Sequence, residues 1–151
     1  MMLALALHLL GAVIWIGGML AMLLVVRPTV VAVLDPPLRL PFMAAALARF
    51  FPWVWGAVVL LPVSGYWLLL TPYGSFSAAP LYLHLMQLIG WIMIAIFLWI
   101  IRVSYPRLRG ALDTQEIPVA AAALEQIRQL VGVNAVLGLL IVVVGAGRYW
   151  S

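Results

Sequence analysis

Four long apolar stretches dominate the chain, over about residues 3–26, 52–70, 81–101 and 130–146. Each can cross the roughly 30 Å hydrocarbon core of a membrane as an α-helix, which needs about 20 apolar residues. None alternates apolar and polar residues with a period of two, so the pattern does not predict a β-barrel. We therefore predict an all-α fold, an integral membrane four-transmembrane-helix bundle that forms a single membrane domain over residues 1–151.

The connections between the stretches differ in charge. A segment over about residues 37–51 mixes arginine with apolar residues and predicts an interfacial helix. The connections before the second and fourth spans carry the basic residues Arg27, Arg39, Arg49, Arg102, Arg107, Arg109 and Arg128. The connection between the second and third spans has no charged residue, and Arg148 is the only charged residue after the fourth span. Because cytoplasmic loops are rich in arginine and lysine, both termini are predicted to be periplasmic.

Composition removes several classes of function. The chain is 68% hydrophobic and 8% charged, whereas soluble domains are about 25% charged. The lipid bilayer is therefore its predicted partner, and the scattered arginines form no stripe for nucleic acid. The sequence has no cysteine, so it offers no thiolate site. It also lacks a glycine-rich phosphate loop and a pair of carboxylates, so it does not predict a hydrolase.

The first and third spans share a short pattern. Trp15 follows His8 by seven residues, and Trp91 follows His84 by the same interval. This match predicts two parallel helix-pair repeats related by an axis along the membrane normal.

The two histidines are the candidate metal ligands. His8 and His84 are the only histidines, and each lies roughly 5–8 Å below the start of its span. Ionisable groups inside membrane spans are costly and indicate function. Neutral imidazoles suit a haem iron or a copper ion, whereas each ring could also hydrogen-bond a neighbouring carbonyl and do nothing more.

Haem and copper would use different neighbours. A haem needs small residues, flat walls, a group that orients a ligand, and a cation for its propionates. The candidates for these roles are Gly11, Trp15, Gly18, Gln87, Trp91 and Arg148. Copper(I) instead favours thioethers, for which the candidates are Met19, Met22, Met86 and Met93. Methionine is also common filler in apolar helices.

The sequence resembles a known family. The run His8-Leu-Leu-Gly-Ala-Val-Ile-Trp-Ile-Gly-Gly18, followed by Arg27-Pro28, resembles the first span of the CopD-like (copper resistance D domain) membrane proteins. Arg49-Phe-Phe-Pro-Trp53, His84-Leu-Met-Gln87 and Arg128-Gln-Leu-Val-Gly-Val-Asn134 continue the resemblance over nearly the whole chain. It implies a multi-pass protein of the bacterial inner (cytoplasmic) membrane that takes part in copper homeostasis.

The resemblance extends distantly to the HemJ-type protoporphyrinogen oxidases. These bind b-type haem through a histidine of the first span, which corresponds to His8. They also use a lysine shortly after a histidine that corresponds to His84. Here Met86 and Gln87 stand nearby and the chain has no lysine, so the resemblance does not carry over this oxidase activity.

Three functions follow as hypotheses. The first is a b-type haem protein with His8 and His84 as axial ligands, a membrane oxidoreductase that transfers electrons to or from a quinone or a periplasmic redox partner. The second is a copper-handling protein that uses the same histidines together with methionines. The third is an assembly or structural protein without a cofactor. A homodimer is compatible with all three.

Overall fold

Four long helices make up the fold. The computed structural model describes residues 1–146. Its helices are α1 (Met2–Val33), α2 (Pro36–Tyr73), α3 (Leu81–Asp113) and α4 (Ile117–Ala146). Each is long and apolar enough to cross a membrane, and no strand occurs within residues 1–146. The predicted all-α bundle of four membrane helices is therefore confirmed.

Large apolar side chains cover the outer surface of the helices. Leu24 is 69% exposed, Val63 61%, Leu88 59% and Val143 69%, one on each helix. Soluble monomers rarely expose continuous apolar patches larger than a few hundred Å². The surface is therefore suited to lipid, in agreement with the predicted bilayer partner.

The helices extend beyond the apolar stretches of the sequence. α1 continues past Arg27-Pro28 to Val33, and the predicted interfacial segment 37–51 is the first part of α2. Proline is tolerated in membrane helices because neighbouring groups satisfy the backbone that it frees. With 38 residues, α2 is about 57 Å long, well above the roughly 30 Å of hydrocarbon.

The helices form two hairpins. α1 packs on α2 and α3 packs on α4, while α4 also contacts α1 and the end of α3 contacts α2. α2 ends at Tyr73, because Gly74 follows it with a φ of 70° that stops the helix, and residues 74–80 connect the hairpins. We call the end with this connection and the N-termini of α1 and α3 the histidine end. The opposite end, with Arg27 and Arg128, is the arginine end.

Two prolines are accommodated in the same way. Wide π-helical turns occupy Met22–Val26 in α1 and Ile100–Ser104 in α3, each two residues before a proline. The residue before each proline donates its N–H five residues back, from Arg27 to Met22 and from Tyr105 to Ile100. Since proline has no N–H and its ring clashes with the preceding turn, the wide turn lets the helix continue.

An aromatic cluster fills the space between α1, α2 and α3. Phe97 lies edge-on to Trp15 and Trp55, with ring centroids 6.3 and 5.4 Å apart. Phe51 makes the same kind of contact with Phe97 at 6.0 Å and with Tyr105 at 5.0 Å. Such aromatic pairs contribute about 0.5–1.5 kcal/mol each beyond the area that they bury. The cluster thus joins the two hairpins.

Candidate functional site

His8 is held between the helices of the first hairpin. Ser64 of α2 is 1% exposed, and its hydroxyl donates a hydrogen bond of 2.6 Å to the carbonyl of Leu60. The Ser64 oxygen can therefore only accept from His8 Nδ1, which lies 3.0 Å away. This assigns the hydrogen to Nδ1 and the lone pair to Nε2. Gly65 makes room for the ring, because a Cβ there would lie 3.2 Å from His8 Cε1.

His84 is held by the connection between the hairpins. Its Nε2 donates to the carbonyl of Ala79 at 3.2 Å, since a carbonyl can only accept. The ring of Phe76 packs edge-on against the imidazole, with centroids 4.5 Å apart. The remaining nitrogen, Nδ1, carries the lone pair. A histidine whose second nitrogen is fixed by a hydrogen bond is the usual form of a metal ligand.

The two histidines lie at the same end of the bundle, but in different surroundings. His8 contacts α2 in the first hairpin, and His84 contacts residues 74–80 just before its own helix. No hydrogen-bond or ring partner is shared between them within residues 1–146. Each therefore offers one lone pair at the histidine end.

The glycines that were considered for a haem pack helix against helix. A Cβ at Gly11 would lie 3.1 Å from Leu61 Cγ, and one at Gly18 would lie 2.2 Å from Phe50 Cε2. Both neighbours belong to α2. These two glycines therefore let α1 approach side chains of α2 closely. Beside Gly11 an open apolar groove of about 460 Å³ remains, lined also by Ile14, Gly56 and Leu60, and neither histidine lines it.

The other candidates for haem binding are dispersed. Trp15 is 3% exposed within the aromatic cluster, whereas Trp91 is 51% exposed on the surface of α3. Gln87 has a buried Oε1 with no hydrogen-bond partner within residues 1–146. Arg148 lies outside the described residues. The described contacts therefore give the haem hypothesis no support.

Methionines line the interior along the bundle. Met19 and Met93 are each 2% exposed, and Met43, which the sequence analysis did not single out, is 7% exposed. Met93 and Met86 lie over glycines of α4: a Cβ at Gly138 would lie 3.4 Å from Met93 Cε, and one at Gly145 would lie 3.3 Å from Met86 Cε.

These glycine contacts also give relative depths. Ile16 of α1 meets Met93 at Gly138, where a Cβ would lie 2.8 Å from Ile16 Cγ1. Along α4, Gly145 lies seven residues beyond Gly138, which is about 10 Å nearer the histidine end. On α1, a step of seven residues from Ile16 toward the same end reaches the residue that follows His8. Met86 therefore lies at about the depth of His8. Met19 lies three residues, about 5 Å, deeper than Ile16.

Asn134 fixes the position of Met93. It is 2% exposed, and its Nδ2 in α4 donates a hydrogen bond of 3.1 Å to the Met93 carbonyl in α3. Its Oδ1 has no hydrogen-bond partner within residues 1–146. The bond from Asn134 therefore ties α4 to α3. A polar residue in an apolar run was the signal in the sequence, whereas nothing in the sequence marks Ser64 as the partner of His8.

The assigned tautomers can be tested. We expect ¹⁵N NMR of the histidine-labelled protein to find His8 protonated on Nδ1 and His84 on Nε2. Ser64→Ala removes the side-chain acceptor of His8 and should weaken its preference for the Nδ1 tautomer, while His84 is unchanged. A mixture of tautomers at His8 in the unsubstituted protein would contradict the assignment.

Comparison with known proteins identifies the family. Within residues 1–146 no group of three or more His, Cys, Asp or Glu residues could hold a metal ion. No curated protein and no solved structure gives a significant match. A family model described as copper resistance protein D matches residues 44–148, which include His84 and lie beyond His8. Because the match covers more than half of the sequence, this membrane protein belongs to the CopD (copper resistance protein D) family.

Proposed function

We propose that this protein binds copper(I) inside the bilayer and conducts it along the interior of the bundle. The observation that carries the proposal is a line of methionines, which begins at the depth of His8 with Met86 and continues through Met93 and Met19. It ends at Met22, which is partly buried against the core one turn further along α1. Met86 and Met93 are each seated over a glycine of α4. Membership of the copper resistance protein D family supports the same function.

The chemistry of these groups suits copper(I). Thioethers and imidazoles are soft or intermediate ligands, which favour copper(I) over magnesium or calcium. They are also neutral, so they place no uncompensated negative charge in the membrane. Neighbouring thioethers along the line are separated by about 5–10 Å of depth. Since all of these ligands are neutral sulfur or nitrogen donors, transfer of copper(I) between them requires no change of oxidation state.

The histidines act as capture groups in this proposal. His8 Nε2 lies at about the depth of Met86, and the Ser64 hydroxyl holds the ring by the opposite nitrogen. His84 offers Nδ1 at the same end of the bundle, supported by Ala79. The distribution of arginine supports an orientation in which this end is periplasmic and the arginine end cytoplasmic. The single membrane domain and its place in a bacterial inner membrane belong to the same proposal.

Copper binding by the purified protein tests the proposal. The protein is titrated with copper(I) without oxygen, in competition with a chromophoric copper(I) chelator. We compare it with the double variant Met86→Leu/Met93→Leu, because exchanging methionine for leucine keeps volume and costs less than about 1.5 kcal/mol per site. The double variant should bind copper(I) at least about fivefold more weakly, which is about 1 kcal/mol.

Met2→Leu is the matched control, since Met2 is 90% exposed and lies far from the interior. Equal copper affinity in the double variant and in this control would overturn the thioether line. A reduced-minus-oxidised visible spectrum of the same sample examines the alternative. A sharp α band at about one iron per chain would favour haem over copper.

A further inference from the structure

A cavity of about 220 Å³ opens between α1, α2 and α4 at the arginine end. Its walls are mainly apolar and include Met22, Leu40, Leu47 and Leu124. A water molecule occupies about 30 Å³ in the liquid, so the space exceeds a single water several-fold. Walls of this kind suit a hydrocarbon chain better than ordered water, which needs polar partners.

The mouth of the cavity is positively charged. Arg27, Glu125 and Arg128 line it together. Arg128 donates two hydrogen bonds to Glu125, one from Nε to Oε2 at 2.7 Å and one from Nη2 to Oε1. The charges of these two side chains therefore neutralise each other. Arg27 is exposed and makes no hydrogen bond within residues 1–146. The group therefore keeps one net positive charge. Arg27 is close enough to Glu125 to interact with it electrostatically, but no hydrogen bond within residues 1–146 occupies its guanidinium donors.

We propose that the cavity binds an anionic phospholipid, with the phosphate on Arg27 and part of an acyl chain between the helices. An apolar slot with a cationic rim matches the two parts of such a molecule. Basic pockets between membrane helices bind anionic head groups in this way. The net positive charge at the mouth disfavours a cation there. The cavity shares only Met22 with the proposed line of copper ligands.

Lipid retention tests the site. Protein is exchanged into mixed micelles that contain equal amounts of phosphatidylglycerol and phosphatidylcholine, and the bound lipids are quantified by native mass spectrometry. The unsubstituted protein should retain phosphatidylglycerol in preference. Arg27→Gln should lower that preference about fivefold, the effect of one arginine near an anionic lipid surface. Arg107→Gln is the matched control, because Arg107 is exposed at the same end and does not line the cavity.

A second variant separates chain binding from charge. Leu40→Trp places a larger side chain in the cavity without altering charge, and it should also lower retention. Equal retention of phosphatidylglycerol by the Arg27 and Arg107 variants would overturn the proposal, as would equal retention of both lipids by the unsubstituted protein. Complete displacement of the lipid by inorganic phosphate would also overturn it, because the site would then bind a free anion without the acyl chain.

Discussion

Replacing Gly138 by alanine is expected to destabilise the bundle by about 1–3 kcal/mol, the usual range for overpacking a tight core. The new Cβ would lie 2.8 Å from Ile16 Cγ1 and 3.2 Å from Ile16 Cδ1. Cγ1 can move aside only by rotation about χ1 or by a shift of α1, and a β-branched residue in a helix strongly prefers one χ1 rotamer. The same Cβ would also approach Met93, so a change at this glycine acts on α1, α3 and α4 together. Denaturant unfolding in detergent micelles measures the effect.

Gly132 provides the control on the same helix. A Cβ at this position meets no atom within 4 Å. Gly132→Ala should therefore keep or slightly raise stability, because alanine favours a helix over glycine by up to about 1 kcal/mol. If both variants unfolded at the same denaturant concentration, the close contact of α1 and α4 at Gly138 would be contradicted.

Replacing His8 by alanine is expected to weaken copper(I) binding at least about tenfold. Loss of a group that merely orients a metal ligand costs about 10–100-fold in affinity, and loss of the ligand should cost no less. The variant removes the imidazole at the depth of Met86 while Met86 and Met93 remain. Competition with a copper(I) chelator gives the affinity, and the unfolding midpoint of the same sample shows whether the hairpin is intact.

Two further variants make this result specific. Ser64→Ala keeps the imidazole but removes its support, and it should produce a smaller loss than His8→Ala. His84→Ala reports on the second hairpin separately, because the partners of His84 differ from those of His8. Unchanged copper affinity in both histidine variants would exclude these side chains as capture groups.

Hydrophobicity alone predicts the number and approximate position of the helices, because a membrane demands about 20 apolar residues for each span. The ends are harder to predict. Arg27-Pro28 and Pro52 read as boundaries, whereas both lie inside long helices. In α1 the wide turn Met22–Val26 permits continuation, and such a turn leaves no recognisable signal in the residues that form it.

In the candidate site, too, some features can be predicted from the sequence and others cannot. The equal depth of His8 and His84 within their spans follows from counting residues. Their partners do not, because Ser64 lies 56 residues from His8 and Ala79 precedes the helix that carries His84. Gly138 and Gly145 are seven residues apart, and only the packing of α3 shows that methionines cover both.

The two wide turns also affect how the bundle can deform. A helix bends most easily where its regular pattern of hydrogen bonds is already interrupted. In α1 and in α3 such places lie just before Pro28 and Pro106, near the arginine end, and α1 has a further wide turn at Val13–Gly17. α2 also carries the internal prolines Pro41, Pro52 and Pro62, so both helices of the first hairpin have interrupted positions. Bending just before Pro28 and Pro106 is expected to change the separation of the helices at the arginine end more than the contacts of His8 and His84 at the opposite end.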